Sequence, residues 1–165
     1  CYALKCEVFG EKSPKTATIL SNLATTYITV GNHEKATELS EKIYAYNCET
    51  LGENHPDTVG WMNILAALYN KVEKYGKAIE LFAKLYLMRC NSVGAQDPSA
   101  QSIFLSLITD LLMVGDNNTL KTLCKALYDS NYALIPELAD LVARIFDALH
   151  EPEKAAEIRA RASKN

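Results

Sequence analysis

The sequence predicts an all-α protein built as a stack of antiparallel helix hairpins, about nine helices in all. Three observations predict it: a block that recurs every 42 positions, apolar residues at helical spacing between the blocks, and Gly and Pro set where helices end and begin.

Leu51-Gly52-Glu53-Asn54-His55-Pro56 repeats Phe9-Gly10-Glu11-Lys12-Ser13-Pro14 at a distance of 42 residues, and Val93-Gly94-Ala95-Gln96-Asp97-Pro98 follows 42 later. Each block reads as a helix end followed by a helix start. Gly10, Gly52 and Gly94 suit the left-handed position past a C-terminus. Ser13 and Asp97 suit an N-cap, whereas His55 is a poorer cap at the equivalent place. Pro14, Pro56 and Pro98 suit the first helical position, where the missing N–H costs nothing.

Between blocks, Leu20, Leu23, Ala24 and Tyr27 return as Met62, Leu65, Ala66 and Tyr69, then as Phe104, Leu107, Ile108 and Leu111. This spacing of i, i+3, i+4, i+7 is one face of a first helix, A. A break follows at Gly31-Asn32, Glu73-Lys74 and Gly115-Asp116. A second helix, B, then carries Ala36 and Leu39, Ala78 and Leu81, Leu120 and Leu123. A fourth repeat comes 35 residues after the third, with Val142, Ala143 and Phe146 matching Leu23, Ala24 and Tyr27. Residues 1–9 match the end of a helix B, since Tyr2 and Cys6 answer Tyr44 and Cys48.

The expected helices are 1–9, 14–30, 33–50, 56–72, 75–92, 98–114, 117–130, 136–149 and 152–163. The expected organisation is one domain over 1–165: 1–13 ends a preceding repeat, 14–55 and 56–97 are repeats one and two, 98–135 is an atypical third, and 136–165 is a fourth with a C-terminal cap. A chain that opens on helix without Met is expected to be a piece of a longer protein. In the third repeat Ile108 and Leu120 replace the small pairs Ala24 with Ala36 and Ala66 with Ala78, so its hairpin should be wider or rotated.

A net charge of -3 offers no basic footprint for nucleic acid, and no apolar run approaches the roughly 20 residues that span a bilayer. Five cysteines, an odd number, favour reduced thiols and a cytoplasmic setting. Cys6, Cys48 and Cys90 recur at the repeat period. Neighbouring helices lie about 8–10 Å apart, beyond the roughly 7 Å between Cα atoms that a disulfide tolerates. They are expected to be small buried thiols, as is Cys124, and not metal ligands. His33, His55 and His150 fall in turns without a zinc-spaced partner and are expected to be solvated. No nucleophile elbow or phosphate loop is present, and neither an enzyme nor a cofactor is expected.

The repeats resemble a tetratricopeptide repeat array, and the first two resemble more narrowly the 42-residue form of kinesin light chains. The residues that carry this are Leu51-Gly52-Glu53-Asn54-His55-Pro56-Asp57, Leu20-Ser21-Asn22-Leu23-Ala24-Thr25-Thr26-Tyr27 and Lys74-Tyr75-Gly76-Lys77-Ala78. Against the usual period of about 34 residues, the extra eight lengthen helix B by about two turns. The resemblance implies a right-handed superhelical solenoid whose inner surface is lined by the A helices.

Carried across residue by residue, the inner positions are Thr18, Ser21, Asn22, Thr25 and Thr29, then Asn63, Ala67, Asn70 and Lys71. In the later repeats they are Ser102, Ser106, Thr109 and Met113, then Glu137, Asp140, Arg144 and Asp147. The lining is mostly short and neutral, and an Asn amide can donate and accept at once as a peptide backbone requires. A merely solvated helix face would account for any one of these residues equally well. No Lys/Arg cluster suits a C-terminal carboxylate. The resemblance therefore implies a protein-interaction module that binds an extended peptide or partner helix, as an adaptor or scaffold within a larger protein. The alternative is a spacer or self-associating segment, suggested by Tyr2, Cys6 and Phe9 on an uncovered N-terminal edge.

Overall fold

A computed structural model of the chain describes residues 14–130 and 134–162. Among the described residues there are eight α-helices and no strand. They are α1 (Pro14–Thr29), α2 (His33–Thr50), α3 (Pro56–Lys71), α4 (Tyr75–Val93), α5 (Pro98–Val114), α6 (Asn117–Ser130), α7 (Pro136–Ala148) and α8 (Pro152–Ala162). Each follows the sequence expectation to within one residue at either end. The ninth expected helix, 1–9, lies outside the described residues, with Gly10, Cys1, Cys6 and the suggested N-terminal edge.

One local device builds every described A–B turn. Gly31, Glu73, Gly115 and His150 have φ of 76°, 59°, 77° and 60°. The next residue's N–H then reaches back to a carbonyl five positions earlier: Asn32 to Tyr27 at 2.9 Å, Lys74 to Tyr69 at 2.8 Å, Asp116 to Leu111 at 3.1 Å and Glu151 to Phe146 at 2.9 Å. This is the Schellman closure, which satisfies a carbonyl left over at the helix end. Glycine makes it without strain in the first and third repeats. Glu73 and His150 make it against the left-handed penalty of about 1–2 kcal/mol. The inter-repeat glycines that are described, Gly52 and Gly94, also sit left-handed, at 87° and 89°.

The chain divides into two compact halves, residues 1–81 and 82–165, with the division inside α4. In the first half α2 packs against both α1 and α3. Leu20, Ala24 and Ile43 form one buried cluster of its core, with Leu39 and Trp61 packed against them. Burying a side chain such as Leu20 or Ile43 contributes roughly 1.5–3 kcal/mol. Ala24 and Ala36 are fully enclosed, which is what lets two helix backbones run close together.

In the second half α7 and α8 pack over a long stretch, as α1 and α2 do, whereas α5 and α6 run close over a much shorter one. The enclosed residues here are Ile108 and Leu120, too large for the backbones to meet. The last helix buries Ala155 and Ile158 and leaves Ala156 and Ala160 exposed. It is held by its neighbours' polar atoms. The Tyr128 hydroxyl donates to Glu157 Oε2 at 2.6 Å, Arg161 Nη1 donates to the Tyr128 carbonyl at 2.9 Å, and the Arg161 guanidinium lies 4.8 Å from the Tyr128 ring centre.

Three expectations need correction. Cys48 and Cys90 are half-buried free thiols, not buried ones, because they lie near the ends of the long B helices. Cys124 is enclosed, and burial pushes its thiol up to about 12. His33 is half-buried with its Nδ1 enclosed, whereas the His55 side chain keeps 39% of its surface exposed and His150 is exposed, as expected. His55 also works as a cap: its Nδ1 accepts the Asp57 N–H at 3.2 Å, the role Asp97 plays toward Ser99 at 2.8 Å.

Candidate functional site

The expected inner positions fall on the A helices, and most of them are exposed. On α1, Thr18, Asn22, Thr25 and Thr29 are exposed and Ser21 is half-buried; on α3, Asn63, Ala67 and Lys71 are exposed and Asn70 is half-buried. The opposite faces of the same helices carry the core, with Leu20 and Ala24 on α1 and Met62, Leu65, Ala66 and Tyr69 on α3. Because α2 touches both helices, it fixes these two exposed faces within one compact half.

Most of the hydroxyls on these faces are already committed. Ser21 donates to the Ala17 carbonyl at 3.0 Å, Thr25 to Ser21 at 2.9 Å, Thr26 to Asn22 at 2.8 Å and Thr29 to Thr25 at 2.9 Å. A hydroxyl has one proton, so these side chains retain lone pairs and can only accept from a ligand. Asn22 and Asn63 are exposed amides with no side-chain hydrogen bond among the described residues, and each can both donate and accept. Asn70 differs, for its Oδ1 is enclosed without a partner. The sequence pattern that groups these residues could not separate donors from acceptors, since that depends on where each hydroxyl proton points.

Lys71 also has a distinct setting. It lines a cleft of about 420 Å³ between the start of α2 and the turn after α3, facing Glu34, Glu38, Glu41, Glu73 and Lys74. Glu41 is held there by the Tyr69 hydroxyl at 2.6 Å and by Lys77 at 3.5 Å. Burial, then this bond to Glu41, pushes the Tyr69 phenol above its ordinary range. Tyr69 thus remains a donor, which ties α3 to α2.

In the second half, Ser102, Ser106 and Thr109 of α5 repeat the pattern of α1. Ser102 donates to Pro98 at 2.9 Å, Ser106 to Ser102 at 3.3 Å and Thr109 to Leu105 at 2.8 Å. Met113, one turn on, is 61% exposed. On α7, Glu137, Asp140, Arg144 and Asp147 form one exposed stripe, and Asp147 pairs with Arg159 of α8 at 2.6 Å. α5 and α7 touch directly.

Nothing in the sequence pattern marks Gln101. It is 3% exposed, donates Nε2 to the Gln96 carbonyl at 3.2 Å and accepts the Ile135 N–H at 2.7 Å. It bridges the start of α5 to the residue before α7, across the place where the repeat step shortens. Among the described residues no three His, Cys, Asp or Glu side chains converge as metal ligands would, and no helix is long and apolar enough to cross a membrane.

Comparison with known proteins agrees with this architecture. The family model of the tetratricopeptide repeat matches residues 16–89. A Podosopora anserina kinesin light chain protein with nearly identical TPR-like repeats is similar in structure, with a TM-score of 0.74 at 19% identity, over 99% of this chain and 81% of that one. A single-substitution variant of that protein gives 0.72 at 20% identity, over 99% and 82%. BtubC (BKLC) from P. vanneervenii gives 0.69 at 18% identity, over 92% and 64%. No curated protein matches in sequence. Residues 16–89 thus match the tetratricopeptide repeat, and the fold is similar to that of kinesin-light-chain-like repeat arrays.

Proposed function

We propose that this tetratricopeptide array is a non-catalytic protein-interaction module whose exposed A-helix faces bind an extended peptide or a partner helix, as an adaptor or scaffold. The observation that carries the reading is the pair Asn22 and Asn63, exposed and uncommitted on two A helices that α2 holds within one half. Each amide can answer both the N–H and the C=O of a passing backbone. The flanking Ser21, Thr25 and Thr29 offer acceptors alone, because their protons already serve the helix. Ser102, Ser106 and Thr109 present the same acceptor row in the second half. A ligand with backbone N–H groups free to donate, as an extended strand has, fits such a surface. The free thiols Cys48, Cys90 and Cys124 fit a reducing, cytoplasmic setting.

The test uses peptides selected from a random 12-residue display library on the immobilised chain. The double substitution Asn22→Ala with Asn63→Ala should weaken a selected peptide that binds the first half by about 1–3 kcal/mol, for two lost hydrogen bonds at about 0.5–1.5 kcal/mol each. Both residues are exposed, so the thermal melt should hardly move. Unchanged affinity for every selected peptide would refute the reading.

A further inference from the structure

We propose that the face formed by α5 and α7 takes a partner segment with a basic residue near one end and an apolar residue near the other. This narrows the peptide reading above and rests on it. The apolar end is the clearer. Leu112, Met113 and Val114, consecutive at the C-terminus of α5, are 40%, 61% and 53% exposed. The equivalent positions of α1 are Ile28, Thr29 and Val30, and those of α3 are Asn70, Lys71 and Val72; of these six only Val30 is a strongly exposed apolar side chain. Three exposed apolar residues in a row cost solubility without helping the core, since Ile108 and Leu111 already fill it.

The charged end is on α7. Its exposed stripe of Glu137, Asp140, Arg144 and Asp147 is not uniform. Asp147 is taken by Arg159, whereas Glu137 and Asp140 make no ion pair among the described residues. Arg144 lies between Asp140 and Asp147 and would repel a ligand cation from the middle of the stripe. A basic side chain is therefore favoured only at the N-terminal end of α7, beside Glu137 and Asp140.

The two ends have a definite spacing. As first helices of successive antiparallel hairpins, α5 and α7 run in the same direction, so the start of α7 adjoins the start of α5. Met113 stands eleven residues after Ser102, which lies at that level, or about 16 Å along the helix at 1.5 Å per residue. Crossing from α7 to α5 adds the roughly 8–10 Å between neighbouring helices, which makes the path about 19 Å, and an extended peptide covers that in about six residues at roughly 3.3 Å each. The surface thus selects a Lys or Arg and, about six residues away, a Leu, Met or Phe. Between them the hydroxyls of Ser102, Ser106 and Thr109 face the ligand backbone as acceptors.

The experiment is the 12-residue library panned on the full chain, followed by fluorescence anisotropy with synthetic copies of the enriched peptides. The expected result is a group of peptides with a basic and an apolar residue about six apart. Glu137→Gln with Asp140→Asn should weaken them about tenfold at low salt and flatten their salt dependence. Met113→Ser should weaken them about tenfold at any salt, and Met113→Gln serves if the first variant fails to fold. Enriched peptides that are acidic, or that ignore both sets of changes, would overturn the inference while leaving peptide binding intact. No enrichment at all would overturn both. A dimer seen by sedimentation and abolished by Met113→Ser would assign the patch to a second copy of this chain and also overturn the inference.

Discussion

The first hairpin, α1 with α2, and the third, α5 with α6, are the same device built at two spacings. Both close through a left-handed glycine, Gly31 or Gly115, and the same backbone bond past it. Both start their second helix with a side-chain cap, Asn32 accepting from Lys35 N–H at 3.1 Å and Asp116 from Thr119 N–H at 3.1 Å. They differ inside. The enclosed pair is Ala24 and Ala36 in one, Ile108 and Leu120 in the other, and the close run of backbone is long in the first and short in the third. The turn chemistry thus fixes connectivity, while the size of one buried pair fixes how near the helices lie. After the third hairpin, the buried amide of Gln101 accepts the Ile135 N–H and so ties the start of α5 to the residue before α7.

Four sets of changes would break or sharpen that comparison, and the largest concerns the buried pair. Leu120→Ala should lose about 2–5 kcal/mol of stability in a denaturant titration, because it opens a cavity in the third hairpin. The reverse change in the tight hairpin, Ala36→Leu, should cost about 1–3 kcal/mol by overpacking. If Ala36→Leu proved neutral, the small pair would not be what holds α1 and α2 close.

Gln101→Leu comes next. It keeps the volume but leaves the Ile135 N–H without its acceptor, at about 1–3 kcal/mol. Hydrogen exchange at Ile135 should accelerate in the variant, and an unchanged rate would remove Gln101 from its bridging role.

The turns give a smaller and signed effect. Gly31→Ala should destabilise by about 1 kcal/mol, entirely through its φ, since an added Cβ meets nothing within 4 Å. Glu73→Gly should stabilise by about 0.5 kcal/mol, relief of the left-handed penalty less the entropy glycine adds to the unfolded chain. Opposite signs in thermal melts are the expected result.

The smallest effect is electrostatic and belongs to the second half. The Ser99 hydroxyl and N–H hold the Asp97 carboxyl below its usual range, and those of Thr119 do the same for Asp116. A carboxyl lowered in the folded state contributes stability that is complete above its unfolded pKa and lost as pH falls through the folded one. Acidification below about pH 4 should therefore loosen the starts of α5 and α6, where the cap Asn32 of α2 has no proton to gain. Asp116→Asn should flatten the fall of melting temperature with pH over that range.

Helix limits were legible in the sequence because Pro, Gly and cap residues mark them, as at Pro56, Gly94 and Asp97. The turns at Glu73 and His150 were legible as breaks from register alone, but their left-handed φ was not, since neither residue type announces such a conformation. By residue type His55 is a weak cap, and only the ring orientation reveals that Nδ1 fills the role. The exposed A-helix faces were legible as a stripe. The donor–acceptor split within the stripe was not, because the i−4 carbonyl competes for each hydroxyl proton only once the helix exists. Gln101 was illegible for a different reason: its partner, Ile135, is distant in sequence and reached only through tertiary packing.

The proposed capture of a peptide by the A helices is tested most directly by titrating a selected 12-residue peptide into the isotope-labelled chain and following backbone and side-chain amide signals. For a ligand of the first half, the Asn22 and Asn63 side-chain amides should shift most, with Thr25 and Ala67 beside them and the exposed face of α2 silent. Shifts confined to α2 and α4, with Asn22 and Asn63 unmoved, would contradict the account.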